Sequence, residues 1–94
     1  MTGGEGIERF EPGPSVLFRE LSGEAVLLNL ESGVYYGLDA VGTRIWRLVA
    51  DRQPLPQVCA ALLDEYDVSA DVLERDVRAL VSDLCAKGLL ARVA

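Results

Sequence analysis

No histidine occurs in the 94 residues. Its absence removes the commonest general base and the commonest metal ligand together. Cysteine is scarce: Cys59 and Cys85 form no CxxC pair, so zinc has no framework. Both fall on apolar faces of helices predicted below, where a free thiol packs as a small hydrophobe. Long hydrophobic runs are missing too. Stretches such as Ala25–Leu28 are only a few residues, against the roughly 20 that a membrane span needs, so no membrane partner is expected. Met1–Pro14 has neither a basic start nor an apolar stretch, hence no secretory signal, and a cytoplasmic location is expected. Positive charge is in deficit, with 9 basic against 15 acidic residues and a net charge of −6. That balance opposes nucleic-acid binding and suits a peptide with some positive charge. There is no Gly-rich phosphate loop and no GxSxG. No enzymatic activity and no cofactor are expected.

What remains is half apolar, enough for one packed domain without metal or disulfide staples. Met1–Pro14 mixes glycine, proline and charge and reads as a flexible tail, with residues 15–94 as the domain. Ile7 and Phe10 are its sizeable apolar groups, available to dock locally. Strands are predicted at Ser15–Leu21, Ala25–Leu30 and Val34–Leu38, separated by the short turns Ser22-Gly23-Glu24 and Glu31-Ser32-Gly33. Short turns make neighbours antiparallel, in a 1-2-3 meander whose edges are the first and third strands. Asp39 is placed to cap a helix over Ala40–Ala50. A second helix runs from Leu55 to about Tyr66, with Pro56 in its first turn and an amphipathic stripe from Leu55 through Val58, Cys59, Leu62 and Leu63. Ser69 caps a third, Ala70–Lys87, striped by Leu73, Val77, Leu80, Val81 and Leu84 and stopped by Gly88. Leu89–Val93 is a short last strand or an extended tail. The fold class is α+β: a three-stranded antiparallel sheet followed by three helices, the last two a helix-turn-helix pair.

The third strand stands out. Sheet edges are usually blunted by charge, proline or bulges. The first strand carries Arg19 and Glu20, whereas Val34-Tyr35-Tyr36-Gly37-Leu38 has no charge and no proline. Alternation places Val34, Tyr36 and Leu38 on one face and Tyr35 on the other. Such an edge is either covered, by the N-terminal tail or a second copy, or kept open for a partner chain. Gly37 marks a bulge or a close approach of another backbone. Trp46, at helical spacing, is expected in the core.

The stretch Leu27-Leu-Asn-Leu-Glu-Ser-Gly-Val-Tyr-Tyr-Gly-Leu-Asp-Ala-Val-Gly-Thr-Arg-Ile-Trp46 resembles the PqqD-like domains, also called RiPP recognition elements. Leu73-Glu-Arg-Asp-Val-Arg-Ala-Leu80 and Lys87-Gly-Leu-Leu90 are similar to the same family, and the likeness covers about residues 15–93. The resemblance implies a winged helix-turn-helix domain, without chemistry of its own, that binds the leader of a ribosomally made precursor peptide. The leader adds to the third strand and lies against the third helix. The wording around Val34–Leu38 is closest to stand-alone versions from lasso-peptide clusters, which hand the precursor to a leader peptidase and a cyclase. A relative in pyrroloquinoline quinone biosynthesis is the alternative. Carried over by position, the groove would comprise Val34, Tyr35, Tyr36, Gly37 and Leu38, facing Leu73, Asp76, Val77, Leu80 and Val81. Of these, Leu73 and Val77 are assigned to the groove, and Leu80 with Leu84 to the core. Asp76 and Arg78 are either solvated charges or contacts to the leader. The chain is expected as a monomer or weak dimer.

Winged helix-turn-helix is also a DNA-binding shape. The third helix carries Arg75, Arg78 and Lys87 against Asp71, Glu74, Asp76 and Asp83, three positive against four negative charges, so phosphate attraction is lacking.

Overall fold

Two side-chain caps set where the first and last helices begin. The Asp39 carboxylate accepts from the Gly42 N–H, opening α1 (Ala40–Ala50), and the Ser69 hydroxyl accepts from the Val72 N–H, opening α3 (Ala70–Ala86). Between them, α2 (Leu55–Glu65) starts behind Pro54, with Pro56 in its first turn. Gly88, at φ +70°, ends α3 in the left-handed conformation its missing Cβ allows. The computed structural model describes residues 8–93.

The strands are β1 (Phe10–Pro12), β2 (Val16–Leu21), β3 (Glu24–Asn29), β4 (Tyr35–Leu38) and β5 (Leu90–Arg92). β2, β3 and β4 form an antiparallel sheet in that order, with Leu17 opposite Leu28 and Leu28 opposite Tyr35. Ser22 and Gly23 both take positive φ in the β2–β3 turn, which suits a tight two-residue hairpin. The α+β reading, a three-stranded antiparallel sheet followed by three helices, therefore holds.

All three helices lie on one side of the sheet. Its inner face contributes Ala25, Leu27 and Leu38, which join Ile45, Trp46 and Val49 of α1, Leu55, Val58 and Leu62 of α2, and Leu73, Val77, Val81 and Leu84 of α3. Trp46 is core, as its spacing predicts, and stacks on Phe18 with ring centroids 6.2 Å apart. Cys59 and Cys85 are unbridged and partly buried against this core, and burial raises both thiol pKa values, which leaves them poor nucleophiles.

The tail expected over residues 1–14 needs correction. Residues 1–7, Ile7 among them, lie outside the described residues, but Phe10–Pro12 forms β1, antiparallel to β5, and Phe10 is buried in the core. Three residues ending in Pro12 and followed by Gly13 are too short to show strand alternation in sequence. The ribbon is closed by a tight approach: the Gly13 N–H donates to the Leu89 carbonyl, and a Cβ on Gly13 would lie 2.4 Å from the Gly88 oxygen. The last segment, left open between strand and tail, is the strand β5, with Leu89 and Leu90 buried.

Among the described residues no helix is long and apolar enough to cross a membrane.

Candidate functional site

In the antiparallel β3–β4 pair, residues alternate between bonding to the partner strand and pointing away from it. The Asn29 N–H donates to the Val34 carbonyl over 2.8 Å, and this sets the phase. Tyr36 and Leu38, opposite Leu27 and Ala25, then bond to β3. Tyr35 and Gly37 turn their N–H and C=O groups outward, where no described strand meets them. β1 pairs with β5 and not with β4, so the described part of the N-terminal segment leaves this edge uncovered.

Beside the edge runs a groove of about 410 Å³. Tyr36, Gly37 and Leu38 form one wall, Asp76 and Leu80 of α3 the facing wall, and Val41, Gly42 and Ile45 of α1 close the end after Asp39. The lining mixes apolar side chains with the Tyr36 ring and the Asp39 and Asp76 carboxylates. Asp76 is exposed and makes no hydrogen bond or ion pair with another described residue, so its charge faces whatever enters.

Tyr36 is held to α3. Its hydroxyl donates to Asp83 Oδ2 at 2.7 Å, Lys87 Nζ donates to Asp83 Oδ1 at 2.8 Å, and the same ammonium lies 5.5 Å from the Tyr36 ring centroid. The hydrogen bonds from Lys87 and then Tyr36 hold the Asp83 carboxyl below the usual carboxylate range. The bond to Asp83, with some desolvation, pushes the Tyr36 phenol above its usual value. Asn29 makes a second tie. Its Nδ2 donates to the Lys87 carbonyl at 3.3 Å, while Oδ1 accepts from the Glu31 and Ser32 N–H groups in the turn before β4. Two side chains thus fix the spacing between the edge strand and the end of α3.

The sequence-derived site divides in two. Tyr36, Gly37, Leu38, Asp76 and Leu80 come together at the groove. Tyr35, 72% exposed, lies on the opposite face of the sheet, and Val34 is exposed just before β4. Leu73, Val77 and Val81 are buried beneath the groove in the core, with Val77 fully so. The sequence division of α3 is therefore corrected: Leu73 and Val77 are core, and Leu80, only partly buried, reaches the groove. Arg78 is occupied elsewhere, bonded to Glu8 and Glu74. Sequence reading missed Val41, Gly42 and Ile45. The signal was available in the Asp39 cap, which starts a helix directly after the edge strand and folds its first turn against the strand's end. Asp83 and Lys87 carried no such signal.

An uncharged strand edge left open beside a helix-walled groove is an arrangement to which a further strand can pair. The chain belongs to the PqqD family: the family model for coenzyme PQQ synthesis protein D matches residues 24–90. Among solved structures, TbiB1 in complex with the TbiA(beta) leader peptide is similar at 37% identity and a TM-score of 0.83, covering 89% of this chain and 98% of that one. Lasso peptide synthetase B1 complexed with the leader peptide is similar at 29% identity and a TM-score of 0.81, covering 88% and 98%. No curated protein sequence matches the chain.

Proposed function

We propose that this protein binds the leader segment of a ribosomally made precursor peptide of the lasso type. The leader adds as a strand along Val34–Leu38 and lies against Tyr36, Asp76 and Leu80, and the bound precursor is delivered to a separate leader peptidase and a cyclase in the cytoplasm. One observation carries the reading: the outward backbone groups of Tyr35 and Gly37 lie next to a groove walled by α1 and α3. Its support from outside is that the two similar structures are described as complexes with leader peptides.

The energetics are adequate. Each backbone hydrogen bond to the edge adds about 0.5–1.5 kcal/mol net, and a side chain buried in the groove about 1.5–3 kcal/mol. Ordering the peptide costs several kcal/mol, which leaves roughly micromolar affinity. In this reading the chain supplies binding and no chemistry, and its lack of histidine supports that part of the proposal.

Fluorescence polarisation of the labelled leader encoded beside this chain's gene tests the reading. Saturable binding is expected. No saturation below about 100 μM would overturn it, because strand addition plus one or two anchors exceeds that affinity. The family description favours a second reading, a peptide carrier in pyrroloquinoline quinone synthesis. Neighbouring genes separate the two: a transglutaminase-like peptidase and an asparagine-synthetase-like cyclase for the first, a radical enzyme for the second.

A further inference from the structure

The side of the sheet away from the helices carries no covering element among the described residues, yet it is apolar. Leu17, Leu28 and Tyr35 form one cross-strand row, and Arg19, Val26 and Gly37 the next. The first row is filled from edge to edge. The second stops short because Gly37 has no side chain, and a hollow of about 590 Å³ opens there, lined by Arg19, Leu21, Glu24, Val26, Gly37 and Asp39. Nothing in the fold requires glycine at this position. A Cβ on Gly37 would meet no atom within 4 Å, and its φ is not positive. The bare backbone lies on the edge itself, with its N–H and C=O turned outward.

We propose that this hollow is a second specificity subsite for the peptide that adds to β4, and that it takes a long apolar side chain on the solvent side of the sheet. The inference rests on the strand-addition reading and extends it to the other face. In a sheet, aligned residues of neighbouring strands point to the same side, whichever way the strands run. The peptide residue opposite Gly37 therefore projects onto the outer face, while its neighbours in sequence project into the groove. That residue sits two strand spacings from Val26, about 9–10 Å. A Val, Thr or Ala side chain stops short of Val26. Phe, Tyr, Trp, Leu or Met can lie across the bare glycine and reach it, the way an aromatic shields an edge glycine from a neighbouring strand. Arg19, which makes no ion pair or side-chain hydrogen bond with another described residue, stands beyond Val26 in the row and can bring its stem and charge over the far end of such a side chain.

The experiment is selection of random displayed peptides on the wild-type chain, on Gly37→Leu and on Val26→Ala, with folding checked by thermal melts. Gly37→Leu fills the hollow from within, and Val26→Ala removes its floor. Wild type should enrich groove anchors and one long apolar residue an odd number of positions away. Gly37→Leu should lose only that last preference, and Val26→Ala should weaken it. For a selected peptide, changing that residue to alanine should cost about tenfold in wild type and nothing further in Gly37→Leu. An unchanged preference on both variants would overturn the subsite and leave strand addition standing. Failure to enrich any peptide on wild type would overturn both.

Discussion

The Tyr36 hydroxyl donates to the Asp83 carboxylate over 2.7 Å and joins the edge strand to the last helix. The two residues are 47 positions apart in the chain, and the bond between them sets how far β4 stands from α3. Loosening it should widen the groove more than it unfolds the domain. Tyr36→Phe and Asp83→Ala are each expected to weaken leader binding about fivefold, with little change in melting temperature, and the double variant should be no weaker than either single one. Polarisation titrations of the four proteins check this; additive losses would show that the residues act separately.

The same bond makes binding pH-dependent in a defined window. Asp83 is held below the usual carboxylate range by Lys87 and Tyr36, so its contribution is present above that range and lost as pH falls through the depressed value. Tyr36 is held above the usual phenol range, so its contribution is present below that range and lost as pH rises through the raised value. Leader affinity should be flat between the two and fall at the acid end. Comparing Asp83→Asn with wild type at the acid end isolates this contribution, since the amide variant has no carboxylate there to protonate.

Proline distinguishes outward from inward backbone. At Tyr35 it removes an N–H that serves no internal bond, so Tyr35→Pro should fold and bind at least about tenfold more weakly. Tyr35→Ala controls for the lost ring. At Tyr36 proline removes a bond to β3 and should destabilise the domain by about 1–3 kcal/mol. Circular-dichroism melts beside binding titrations read both. A Tyr35→Pro protein that binds normally would remove β4 as the site.

Leu80 and Val77 are neighbours on α3 with different duties. Leu80→Ala is expected to weaken leader binding about tenfold while costing under about 1 kcal/mol of stability. Val77→Ala opens a cavity in the core and should cost about 1–3 kcal/mol in urea unfolding with little direct effect on binding.

The sequence shows much of this through local chemistry. Asp39 and Ser69 announce their helices as caps, the turns at Ser22 and Gly33 set the antiparallel order, and the missing charge in Val34–Leu38 marks the open edge. What stayed hidden depends on how elements rotate and meet. On α3 a single apolar stripe holds Leu73, Val77, Leu80, Val81 and Leu84, and periodicity shows that the stripe is buried without showing which flank looks out at β4. The stripe alone therefore does not tell Leu80, on that flank, from Leu73 and Val77, which are core. Asn29 and Asp83 are polar residues whose partners are far along the chain, so neither leaves a periodic trace. β1 is invisible for another reason: its three residues gain a strand only because β5 lies beside them.

That pairing also dictates the order in which the molecule can be completed. The meander β2–β4 is built from neighbouring segments and can close early, whereas Phe10 has to wait for Arg92. On a ribosome the segments of the meander emerge before α3, so a sheet formed at that stage would leave its β4 edge open to any passing strand. Selectivity arrives only with the C-terminal third of the chain, so a nascent or truncated copy should be adhesive before it is discriminating.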